Sequence, residues 1–148
     1  MGCDIHLQVE KKTGDKWEIV TPIHKHWFEG KLTWSTPLDN SGKFPDPTER
    51  YYAVFSFLAD VRNRENPIEP QFADRGFPDD AVVHPKYGDM YHLGDHSYTY
   101  ASLTELLNAP WKDVKLEDSG FCRWCNEILF PLADGNTDNI RVLMGFDS

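Results

Sequence analysis

From Asp4 to Glu10 the chain alternates without a break, with Asp4, His6, Gln8 and Glu10 interleaved with Ile5, Leu7 and Val9. Side chains on a strand point to opposite faces in turn. The pattern therefore specifies a strand with one face in a core and one polar face. A second run, Ile140, Val142, Met144 and Phe146, also shares one face of a strand. An N-terminus frays unless a sheet ties it down. The first and last strands are expected close together in one sheet.

The segments between them are shorter and more varied. Lys11 to Lys16 is a polar turn around Gly14, and Trp17-Glu18-Ile19-Val20 alternates again, which makes a hairpin ended by Pro22. His24 to Pro47 is an excursion from the core, with Lys31 to Trp34 as a short strand and Leu38 to Gly42 as a loop. Asp46-Pro47-Thr48-Glu49 has the residues of a helix start, and a helix is expected from there to about Arg64. Its apolar stripe is Tyr51, Val54, Phe55 and Leu58, ending at Val61 or Arg62. Residues 65–91 are loop-rich. Ser102 and Glu105 form a capping box for a short helix to about Asn108. Ser119 to about Ala133 is a further apolar helix, bent or shortened by Pro131. Strands at both ends with about three helices between them give a single α+β domain, 1–148, built on a mainly antiparallel sheet. A chain of 148 residues buries roughly 70% of its unfolded surface, enough for a core without staples.

The net charge of −9 disfavours duplex nucleic acid, which needs a basic surface to displace counterions. A small anionic ligand is still admissible, because a few arginines outweigh the global sign locally. No run of 18 apolar residues spans a membrane, and the opening residues lack the pattern of an export signal. With three cysteines and no export signal, a reducing cytoplasm is expected. Nothing in the sequence demands a homo-oligomer or rules one out.

The strongest candidate site combines Asp4 and His6 with Asp95 and His96. Carboxylate and imidazole are ligands for a divalent metal, and Asp-x-His at a strand start resembles the opening ligands of binuclear phosphoesterases. His92, Asp89 and Asn63 are further ligand types, in no familiar spacing. Without a metal, His6 and His96 would serve as general base and acid on a phosphodiester. The competing reading is structural, with Asp4 and His6 pinning the N-terminus and Asp95 capping a turn. Arg62, Asn63, Arg75 and Arg141 are candidate anion contacts, with Ser97 beside His96; ordinary surface pairing is the alternative. His24 and His26 are spaced as a metal pair on a strand, or else belong to a solvated loop. Cys122-x-x-Cys125 lies inside a helical pattern rather than at a helix start, so it reads as core, as does Cys3. Trp27, Trp34, Tyr51, Tyr91, Tyr98 and Tyr100 are available for base stacking, although most are expected in or near the core.

The motifs together resemble those of an uncharacterised group of small proteins encoded mainly on tailed-phage and prophage genomes. The shared features are Met1-Gly2-Cys3-Asp4-Ile5-His6 and the stretch from Tyr51 through Phe55, Leu58 and Ala59 to Val61-Arg62-Asn63. They continue with Arg75-Gly76-Phe77-Pro78, where relatives carry Leu in place of Phe77, with Asp95-His96-Ser97, and with the closing Phe146-Asp147. Tyr98-Thr99 departs from the Ser-Trp of relatives. The resemblance implies a phage origin and no set reaction. Joined to the candidate site, it leads to the expectation of a protein that binds, and in the stronger form hydrolyses, a cyclic nucleotide or related nucleotide immune signal. Asp4, His6, Asp95 and His96 would do the chemistry or hold a metal, and Arg62, Asn63, Arg75 and Ser97 would hold the ligand. The alternative is a non-enzymatic phage protein that binds a host protein, with Asp4 and His6 structural.

Overall fold

A computed structural model describes residues 2–20, 24–28, 31–35, 45–84, 88 and 90–147. Strands β1 (Asp4–Thr13) and β2 (Lys16–Val20) form the expected hairpin. β3 (His24–Phe28) and β4 (Lys31–Ser35) pair only with each other, antiparallel. β5 (His96–Ser102) and β6 (Ile140–Asp147) complete a four-stranded antiparallel sheet of order β2-β1-β6-β5. The two ends of the chain thus lie side by side at the centre of the sheet, as the matching alternations predict. Pro22, the loop from Leu38 to Gly42 and Asp89 lie outside the described residues, as do the side chains of His24, His26, Trp27, Trp34 and Tyr91.

The register of β1 on β6 runs from Asp4↔Asp147 through Ile5↔Phe146 and His6↔Gly145 to Glu10↔Arg141. Directly opposed residues share a face, so this register sorts the side chains. Ile5, Val9, Ile140, Val142, Met144 and Phe146 are buried in one core. On it pack α1 (Tyr52–Ala59), α2 (Leu103–Asn108) and α3 (Gly120–Trp124). The ring of Phe146 meets that of Phe55 edge-on at 5.3 Å, and Phe57, Trp111, Phe121 and Trp124 form a separate chain of neighbouring rings.

The opposite face carries His6, Gln8 and Glu10, and it is not left to water. Asp80, Val82 and His92 bond across it. Arg141 donates from Nε to Glu10 at 2.7 Å and from Nη1 to Asp80 at 2.8 Å. Gln8 donates to Glu10 and to the Val82 carbonyl, while Val82 N–H donates to Glu10. His92 Nε2 and Gln8 Oε1 are 2.9 Å apart. Glu10 is 0% exposed and Arg141 7%. A carboxylate so placed is tolerable only because each oxygen accepts from a donor.

Leu93 and Gly94 pass β6 at very short range. A Cβ on Gly145 would sit 1.8 Å from the Leu93 carbonyl oxygen, and one on Gly94 would sit 2.4 Å from that of Phe146. Only glycine permits the approach, and it lets Asp95 N–H donate to Phe146 O at 2.9 Å.

Two helices differ from expectation. Asp46 does accept from Thr48 N–H, but α1 starts only at Tyr52. Glu49 bonds Gly120 N–H instead of folding back, and Arg50 reaches to Asp4, so the chain stays open through Tyr51. At the other end Asp60 takes a left-handed conformation and closes the helix four residues before Arg64. The second difference is the expected run from Ser119 to Ala133. It is α3, then a π turn over Cys125–Leu129, then one short α turn, α4 (Phe130–Leu132), with Pro131 inside it. The Ser102–Glu105 capping box forms as predicted.

Removing one member of the buried pair should expose its cost. Arg141→Met leaves Glu10 buried without its guanidinium and is expected to lose about 3–5 kcal/mol in urea unfolding. Adding Glu10→Met to that variant should recover part of the loss; additive losses would show that the two side chains are not coupled.

Candidate functional site

The end of the sheet where β1 and β5 begin and β6 finishes gathers most of the predicted chemistry. His6 is held by β1 opposite Gly145, and its Nε2 lies 2.5 Å from Asp147 Oδ2. An ionised carboxylate can only accept, so His6 donates from Nε2, and in the neutral ring the lone pair is then on Nδ1. His6 is 34% exposed and Asp147 42%, which leaves both open to a ligand. The hydrogen bond from His6 holds the Asp147 carboxyl below its usual range; burial opposes this, and the charges of His6 and His96 add to it.

Beside this dyad, Asp4 Oδ1 accepts from Arg50 Nε at 3.0 Å and Nη2 at 2.7 Å. That bond raises the Arg50 guanidinium further. Gly2 makes room for it, since a Cβ there would fall 2.3 Å from Arg50 Nη1. Tyr52 accepts at its hydroxyl from Cys3 N–H, and Arg62 lies over the Tyr52 ring at 5.0 Å. The Cys3 thiol is buried and its pKa is raised by that burial, with the Arg62 charge opposing.

His96 reaches the same end from the other side of β6. It pairs with Phe146, and the two rings stack at 6.4 Å. Its Nδ1 is 2.8 Å from Ser97 Oγ and its Nε2 4.0 Å from Asp95 Oδ1. Ser97 has φ +58°, and an irregularity in the β5–β6 register begins there. The two acid–imidazole pairs therefore share one end of the sheet but not one face. His6 lies with Asp4 and Asp147, and His96 lies with Phe146.

Asp4, His6, Asp95 and His96 are not drawn into one ligand set. Among the described residues no three His, Cys, Asp or Glu side chains stand close enough together to hold a metal ion. Arg62 and Ser97 are at the site, whereas Asn63 and Arg75 are elsewhere. Asn63 bonds Asp60 and, in both directions, Ile68, and so closes a loop. Arg75 is forked onto Glu105 and reaches Tyr100 O, farther along β5. Arg141 belongs to the buried pair with Glu10. Burial raises the Cys122 thiol to about 11 and pushes Cys125 well above the usual range, so this pair lacks the lowered pKa of a redox motif.

Asp147 and Arg50 are the site residues that sequence reasoning missed. A usable signal existed for Asp147. Setting Glu10 opposite Arg141, an acid facing a base, fixes an antiparallel register that puts Asp147 across from Asp4. Arg50 gave no such signal, since it sits in a stretch that reads as helix.

No family model matches the chain, nor does any curated protein or solved structure. No helix among the described residues is long and apolar enough to cross a membrane.

A group whose folded pKa is lowered adds stability above its unfolded pKa, near 3.9 for Asp, and loses it as pH falls through the folded value. Asp147→Asn should therefore be less stable than the parent at neutral pH, with the gap closing below about pH 4. Urea unfolding of both proteins across that range checks this; a gap independent of pH would contradict it.

Proposed function

We propose that the protein binds a cyclic nucleotide or related nucleotide signal at this end of the sheet, and that His6 serves as general base in cleaving its phosphodiester. The observation that carries the reading is the contact between His6 Nε2 and Asp147 Oδ2. A carboxylate behind an imidazole fixes the tautomer and stabilises the imidazolium that forms when the ring takes a proton. His96 supplies a second imidazole at the same end. Arg50 and Arg62 bring forked cations suited to phosphate oxygens. The resemblance to phage-encoded proteins supports the biological role. Host defences signal through cyclic nucleotides, and a phage protein that sequesters or cleaves them would blunt that defence.

A second reading is favoured by the hold of Arg50 on Asp4. That bond and the His6–Asp147 bond both fasten the N-terminal strand, which is what purely structural residues would do. On this reading the protein is not an enzyme and binds a host protein.

One experiment separates them. The purified protein is incubated with a panel of cyclic di- and trinucleotides, followed by thermal shift and by chromatography of products. His6→Ala is expected to keep its melting temperature within a few degrees and to lose at least about 10²-fold in cleavage, the scale of one acid–base group. Binding without turnover by the parent protein would reduce the role to sequestration. A His6→Ala variant that unfolds, together with a parent that neither binds nor cleaves, would favour the structural reading.

A further inference from the structure

We infer that Ser97 is an activated nucleophile, that His96 is its general base, and that the pair hydrolyses uncharged carboxylic esters through an acyl-serine. His96 Nδ1 lies 2.8 Å from Ser97 Oγ, the distance at which a base takes up the proton of a nucleophile. Neighbouring side chains on a regular strand point to opposite faces, so consecutive residues do not ordinarily meet. Here they meet because Ser97 leaves the strand conformation. Its φ is +58°, and the β5–β6 register is irregular between His96 and Thr99. Among the described residues, Asp60, Arg62, Asp74, Lys115 and Asp134 also combine a side chain with positive φ, at helix ends or in turns, and Ser97 alone does so inside a strand. Glycine takes this conformation without strain, whereas serine pays for it. The hydroxyls of Ser56, Ser102 and Ser119 bond backbone groups at α1, α2 and α3. That of Ser97 meets an imidazole.

The imidazole is held and polarised by its neighbours. Phe146, fully buried, backs it with the two ring planes 27° apart. Asp95 Oδ1 stands 4.0 Å from Nε2. That is too long for a hydrogen bond, but a negative charge there favours the proton on Nε2 and leaves the Nδ1 lone pair for the hydroxyl. Asp95 is thus a positioning residue. Ser97 is exposed, and the side chains of His96 and Asp95 are 37% and 71% exposed, so a substrate reaches all three from solvent. The open carboxylate repels an anionic ester and leaves an uncharged one as the fitting substrate. The inference stands apart from the nucleotide reading, which turns on His6 and Asp147.

The reaction runs in two balanced halves. Ser97 Oγ bonds to the ester carbonyl carbon as its proton passes to His96 Nδ1. The bond from that carbon to the alcohol oxygen breaks, and the alcohol leaves with the proton from His96. Water then attacks the acyl-serine and gives its proton to Nδ1. The bond from the acyl carbon to Ser97 Oγ breaks, the hydroxyl recovers its proton, and the carboxylic acid departs.

The test uses the full chain with p-nitrophenyl butyrate and, separately, with an uncharged fluorophosphonate probe whose site of attachment is located by mass spectrometry. The expected result is a probe adduct on Ser97 and ester hydrolysis that rises with pH as His96 gives up its proton. Ser97→Gly, which suits the backbone there, is expected to keep its melting temperature within a few degrees and to lose at least about 10²-fold in hydrolysis. Asp95→Asn is expected to lower kcat at unchanged KM and unchanged melting temperature, a split that a structural role would not produce. A probe that attaches elsewhere or nowhere in the parent protein overturns the inference, and so does a Ser97→Gly variant that hydrolyses the ester as fast as the parent.

Discussion

The contact on which the rest depends is the buried pair of Glu10 and Arg141, facing each other across the two central strands. A buried ion pair is weak evidence for stability, because desolvation cancels much of its attraction. Its effect here is on register. A slip of one residue would turn every side chain of β1 to the other face and leave a carboxylate in the core. With Glu10 fixed opposite Arg141, antiparallel pairing leaves no choice farther along: His6 faces Gly145 and Asp4 faces Asp147. The dyad is a consequence of a lock six residues away.

The same lock explains why residues 2–6 are so varied in chemistry and so constrained. Gly2 admits the Arg50 guanidinium, Cys3 fills core space, Asp4 holds Arg50, Ile5 packs near Phe146 and His6 meets Asp147. On the far side of β6, Gly94 and Gly145 let backbone approach backbone, which carries Asp95 and His96 to the same end. Two backbone positions without Cβ and one buried charge pair thus assemble a site from three strands.

Much of this was legible from the sequence. Alternation in β1 and β6 predicted both strands, their faces and their nearness, because a period of two has few other outcomes. The Ser102 capping box was equally plain, since its two hydrogen bonds are local. Elements whose shape depends on distant partners were not legible. The segment before α1 reads as helix, but Glu49 and Arg50 are claimed by Gly120 and Asp4. The Ser119–Ala133 run reads as one helix, and its π turn leaves no mark in the pattern of apolar residues. Arg62 and Ser97 lie at this end of the sheet, whereas Asn63 and Arg75 follow the alternative the sequence also allowed, with Asn63 closing a loop onto Ile68 and Arg75 pairing with Glu105. Asp147 carries no signal of its own, because only the pairing of β6 with β1 brings it opposite Asp4 and onto His6.

Register places an ionised Asp147 on His6 Nε2 and so leaves Nδ1 of the neutral ring to accept a proton. The most direct test is ¹⁵N NMR of the protein labelled in histidine, with His6 assigned by the His6→Gln variant. At a pH where the ring is neutral, His6 is expected to show a signal pattern with the proton on Nε2 and a bare Nδ1, and a shift toward a mixture of tautomers in Asp147→Asn. A His6 ring protonated on Nδ1 in the parent protein, or one indifferent to Asp147, would contradict it.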